Sequence, residues 1–69
     1  MIYIGERLRK LRTDNKFTQK QLSELFGVGV STISFYESDM RKPPYEILIK
    51  YAACFHVTTD YILMSDRNG

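Results

Sequence analysis

The chain has one cysteine (Cys54), one histidine (His56) and no tryptophan. A lone thiol cannot close an internal disulfide, so no disulfide framework holds this fold and a reducing compartment is expected. One Cys and one His fall short of a Cys/His zinc site. His56 has no nucleophile or carboxylate at meaningful spacing, so neither catalysis nor a metal is expected, and no cofactor. No apolar run approaches the roughly 18 residues of a membrane span. Residues 1–7, MIYIGER, lack the charged and then apolar layout of a signal peptide. The expectation is a cytoplasmic protein with no membrane association. Two prolines and four glycines exclude collagen-like and low-complexity classes. At 69 residues there is no room for a doubly wound sheet, a (β/α) barrel or a second domain.

What is present is ordinary globular material, 43% hydrophobic and 26% charged. Charge is uneven along the chain. Residues 1–42 carry eight Lys/Arg against five acids, a net +3, and residues 43–69 carry two against three, a net −1. The positive end points weakly to a polyanionic partner.

Hydrophobic spacing predicts five short helices and no strand. The expected fold is an all-α bundle forming one domain over 1–69, with its core in 4–64 and a frayed tail at 65–69. In the first helix, Gly5–Asn15, Ile4, Leu8 and Leu11 share a face. The second opens with the capping box Thr18-Gln19-Lys20-Gln21, has a stripe of Leu22, Leu25 and Phe26, and ends at Gly27. The third, Val30–Ser38, follows Gly29 as N-cap and turns Ile33 and Tyr36 inward. The fourth starts with Pro44 in its first turn and keeps Tyr45, Leu48, Tyr51, Ala52 and Phe55 at helical spacing. His56, of a type tolerated at positive φ, ends it. Thr58 caps a short fifth helix. Cys54 is expected as a small buried hydrophobe, since no neighbouring motif would lower its pKa.

Residues 19–37 carry the functional signal. Two short helices flank a three-residue turn containing glycine, the pattern of a helix-turn-helix. Ser23 is small where the helices must cross, Gly27 allows the sharp turn, and Val28 plugs the corner. Leu22, Phe26, Ile33 and Tyr36 form a shared core. The third helix is left with a row of short side chains facing outward.

Residues QKQLS at 19–23 and GVGVSTISFYE at 27–37 resemble the Cro/phage-repressor type of helix-turn-helix domain. Leu11-Arg12 and the run FHVTTDYIL at 55–63 extend the resemblance over about residues 4–64. The resemblance implies a five-helix domain that binds double-stranded operator DNA as a homodimer. Its third helix would lie in the major groove, with Val30, Ser31 and Phe35 at base edges and Thr32 beside them or on phosphate. Gln19 would meet phosphate with its side chain or its backbone N–H, and Ser38, Arg41 and Lys42 would reach the opposite backbone. Arg12 and Glu37 would form a structural ion pair. The chain departs from the family at Val30 and Phe35, where Arg, Gln or Lys is common, and at Asp39, where Gly is common.

Blander readings stand beside these. Ser31, Thr32 and Ser34 also suit a solvated helix face, and Phe35 is either a DNA contact or a packing residue against the first helix. The basic face of the first helix reads as general surface charge. Ile47, Ile49, Tyr61 and Met64 exceed one core stripe and either pack internally or form a self-association patch; the second reading is taken, with Ile62 added to the dimer interface. The function expected is a transcriptional repressor that occludes polymerase from a short palindrome. The alternative is an antitoxin-type interaction module that neutralises a partner protein by direct contact.

Overall fold

Helix ends set the path of this chain. The computed structural model describes residues 3–64. It contains α1 (Gly5–Asp14), α2 (Gln19–Phe26), α3 (Val30–Glu37), α4 (Tyr45–Phe55) and α5 (Thr59–Leu63), with no strand among the described residues. The expected tail at 65–69 lies outside them.

The first four helices stop in the same way. Lys16, Gly27, Asp39 and His56 adopt left-handed φ values of 64°, 74°, 62° and 58°. The N–H of the next residue then donates to the carbonyl five positions back. These bonds are Phe17 to Arg12 at 3.1 Å, Val28 to Ser23 at 3.0 Å, Met40 to Phe35 at 2.9 Å and Val57 to Ala52 at 3.0 Å. This is the Schellman closure, which satisfies carbonyls that the helix leaves without partners. Only Gly27 is glycine; the other three carry a Cβ into a region that L-residues disfavour. Phe17, Val28 and Val57 pack against the core after their turns. Met40 does not and is 75% exposed.

The starts differ more. Thr18 closes its capping box: its Oγ1 accepts the Gln21 N–H at 3.0 Å and its own N–H donates to Gln21 Oε1 at 2.8 Å. Thr58 accepts the Tyr61 N–H at 3.0 Å. Pro44 is the N-cap of α4, with extended ψ 165°, one position ahead of the first turn where it was expected. Ile4 begins α1 with no capping side chain of its own. The acceptor comes instead from Asp39, whose Oδ1 receives the Ile4 and Gly5 N–H groups at 3.1 and 3.0 Å. A carboxylate there also complements the positive end of the α1 dipole.

Helix α3 lies between α1 and α2, and α4 packs on α5 and α1. Leu8, Leu22, Ile33, Tyr51 and Ile62 are fully buried at their centre. Full burial of such side chains stabilises by about 1.5–3 kcal/mol each. Edge-on aromatic pairs knit α2, α4 and the α1–α2 turn: Phe26–Tyr51 at 4.9 Å and Phe17–Phe55 at 5.8 Å. The crossing of α1 with the end of α3 depends on Gly5. A Cβ there would collide with the Glu37 carbonyl and lie 2.8 Å from the Tyr36 oxygen. Both obstacles are backbone, so the helices would have to part.

Two stripe assignments fail. Leu25 is 57% and Tyr45 71% exposed, while Ile47 joins Leu48, Tyr51 and Phe55 on the buried side of α4.

Candidate nucleic-acid interface

Helix α3 has two unlike sides. Ile33 and Tyr36 are buried; Val30, Ser31 and Phe35 are exposed; Thr32 and Ser34 are half-buried. On α2, the small Ser23 expected at the crossing is buried, its hydroxyl donating to the Lys20 carbonyl of its own helix at 2.7 Å.

Behind α3 lies a charged network. Arg12 Nε donates to Glu37 Oε2 at 2.6 Å and Nη2 to Oε1 at 3.1 Å, a bidentate pair. The two side chains are 11% and 5% exposed, so water screens the pair weakly. Arg12 Nη1 donates to the Phe17 carbonyl at 2.8 Å, fixing the α1–α2 turn. Gln19 Nε2 donates to Glu37 Oε1 at 3.1 Å. The Gln19 amide therefore steadies the carboxylate, while its backbone N–H stays at the open N-terminal turn of α2.

The expected phosphate-contacting residues fall on two patches. Gln19 and Ser38 line a polar hollow of about 270 Å³ with Arg9, Arg12, Ser34 and Glu37. Arg9, read from sequence as general surface charge, is thus part of this hollow. Arg41 and Lys42 line a different, apolar cleft of about 160 Å³ with Ile4, Asp39, Pro43, Leu48 and Leu63. The Asp39 cap ties this basic loop to α1. Sequence spacing gave no hint of that tie, since the partners are 34 and 35 residues apart.

The expected dimer set divides. Ile47 is 8% exposed and Ile62 fully buried, so both belong to the core and offer no surface for a second copy. Ile49, Tyr61 and Met64 are exposed. The Tyr61 ring carries the Arg7 guanidinium 4.1 Å from its centroid. Lys50 is also engaged, its Nζ donating to the Phe26 carbonyl at 3.1 Å, where a cation suits the end of α2.

Cys54 is half-buried, not enclosed as expected, and burial pushes its thiol pKa up. Among the described residues no group of three His, Cys, Asp or Glu could hold a metal ion. No described helix is long and apolar enough to cross a membrane.

This arrangement has clear relatives. The pattern of the helix-turn-helix family of Cro/C1 type matches residues 8–62, and the chain belongs to that family. It is 36% identical over 64 residues to the HTH-type transcriptional regulator ImmR of Bacillus subtilis (strain 168), covering 93% of this chain and 50% of ImmR. It is 41% identical over 58 residues to the uncharacterized HTH-type transcriptional regulator YobD of the same organism, covering 84% of this chain and 52% of YobD. The chain spans about half the length of these curated relatives. Among solved structures, the P22 c2 repressor in complex with a synthetic operator aligns with a TM-score of 0.84 and 30% identity. That alignment covers 96% of this chain and 100% of the repressor chain. SinR, the master regulator for biofilm formation, in complex with DNA aligns with a TM-score of 0.78 and 28% identity, over 87% and 97% of the two chains.

Proposed function

We propose that this chain binds DNA sequence-specifically and regulates transcription, as a cytoplasmic repressor whose dimer covers a short palindromic operator and excludes polymerase. The observation that carries the reading is the outward side of α3. A helix fixed from behind by Ile33 and Tyr36 leaves Val30, Ser31 and Phe35 bare, with Arg41 and Lys42 following at once. The P22 c2 and SinR structures, both complexes with DNA, support the same use of the fold.

In this reading α3 enters the major groove. Val30 offers apolar surface that suits a thymine methyl, and Ser31 and Thr32 offer hydroxyls that donate or accept at any base. Ser38, Arg41, Lys42 and the Gln19 backbone N–H meet phosphates, which position the helix without reading sequence. Ile49, Tyr61 and Met64 remain as the self-association patch. Two half-sites would lie about 34 Å apart, one helical turn.

Binding to a mixed-sequence duplex over a salt series tests this. The log–log slope should be steep, about −0.9 for each phosphate neutralised. Lys42→Ala should flatten it by about one unit and weaken all sequences alike. A flat salt response overturns the proposal.

A further inference from the structure

The ring of Phe35 is not free on both faces. The Arg41 guanidinium lies over it, with Cζ 5.2 Å from the ring centroid. These residues meet because of how α3 ends. The Phe35 carbonyl accepts the backbone N–H of Met40 at 2.9 Å and of Arg41 at 3.3 Å. It also accepts the Ser38 hydroxyl at 3.3 Å. The left-handed turn at Asp39 folds the chain back far enough for both bonds. The Asp39 carboxylate then pins that turn to the start of α1. Arg41 is thus held to Phe35 twice, its main chain by the carbonyl and its side chain by the ring. Both residues are exposed.

Helix α3 itself contains no Arg, Lys, Asn or Gln. It offers no side chain able to make a bidentate contact to guanine or adenine. Arg41 is the first such donor after the helix, and it arrives already resting on an α3 side chain.

We infer that Phe35 is a positioning residue whose ring is a platform holding the Arg41 guanidinium toward an acceptor oxygen on the DNA. This rests on α3 lying against duplex DNA, as proposed above. A loose arginine surrenders rotamer freedom when it binds, whereas one already stacked has surrendered part of it beforehand. An exposed arginine–aromatic contact is worth about two- to fivefold in an equilibrium constant. Phe35 therefore contributes to binding mainly through Arg41.

The test is a double-mutant cycle in the full chain. Binding is read by fluorescence anisotropy on a mixed-sequence duplex and on duplexes that the unsubstituted chain enriches from a random library. Phe35→Leu keeps apolar bulk and removes the π face, and should weaken binding about two- to fivefold. Arg41→Ala should weaken it at least as much and flatten the salt slope by about one unit. Phe35→Leu should add nothing further in the Arg41→Ala background, and Phe35→Tyr should bind as the unsubstituted chain does. Thermal midpoints of all variants identify any loss that comes from unfolding. Losses that multiply in the double variant overturn the platform, as does tight binding by Phe35→Leu. If the unsubstituted chain binds neither duplex, the DNA-binding reading itself fails; if it binds and the losses multiply, only the platform fails.

Discussion

Asp39 closes the turn after α3, and it does two things that pull its substitutions in different directions. Its backbone sits at φ 62°, which favours Gly, Asn or Asp over other residues. Its carboxylate caps α1 through Ile4 and Gly5. Losing a capping side chain costs about 1 kcal/mol, within a range of about 0.5–2. Placing alanine in the left-handed region costs about 1 kcal/mol more. Asp39→Ala should therefore lose about 2 kcal/mol. Asp39→Gly loses the cap and relaxes the turn, so the two effects offset to between a gain of about 0.5 and a loss of about 1 kcal/mol. Asp39→Asn keeps the turn and a neutral acceptor and should lose about 0.5 kcal/mol. A domain of 69 residues has about 3–10 kcal/mol in total, so the differences are readable by urea denaturation. The thermal midpoint of Asp39→Ala should fall by about 8–16 °C. An Asp39→Gly variant more stable than the unsubstituted chain by over about 0.5 kcal/mol refutes the cap. Equal stabilities for Ala and Gly refute the demand for a left-handed residue.

Three other outcomes follow from the packing. Arg12→Ala and Glu37→Gln should each cost more than 2 kcal/mol, since breaking a buried pair typically costs about 3–5; denaturant midpoints showing under about 0.5 kcal/mol for both would place the pair among surface contacts. The Tyr51 hydroxyl is buried, has no hydrogen-bond partner among the described residues, and is held protonated by burial first and the Glu37 charge second. Tyr51→Phe should leave stability unchanged or raise it by about 1 kcal/mol, and a loss above about 1 kcal/mol would mean the hydroxyl is satisfied. Ile62→Asp buries a charge and should unfold the domain, whereas Met64→Asp should keep the helical circular dichroism while weakening self-association and DNA affinity together. Unchanged self-association in Met64→Asp removes that residue from the proposed interface.

The helix-turn-helix was legible because its signals are local. Thr18 and Gln21 lie three apart, Gly27 follows the last apolar residue of α2, and Gly29 precedes α3. The end of α4 at His56 was legible for the same reason. The turns at Lys16 and Asp39 use the same left-handed geometry yet were silent, since lysine is not enriched there and aspartate, which is, suits ordinary turns as well. The Asp39 cap spans the chain from α3 to α1, and periodicity carries no information at that distance. Leu25 was placed inward by its spacing from Leu22, but the buried residues of α2 are Leu22, Ser23 and Phe26. On α4 the apolar residues occupy both sides of the helix, so spacing alone did not separate buried Ile47 from exposed Tyr45. Gln19 suited phosphate by type and position; only the fold shows its amide spent on Glu37.

The central claim is that α3 reads base edges in the major groove, and an altered-specificity selection tests it most directly. Ser31 is exposed in the first turn of α3 and has no capping duty. Ser31→Gln introduces a side chain that pairs bidentately with adenine, worth about 1–3 kcal/mol of discrimination. Sites enriched from a random duplex library by the unsubstituted chain and by this variant should differ at one position in each half-site, where adenine becomes dominant. Identical enriched sites from the two proteins would contradict the placement of α3 in the groove.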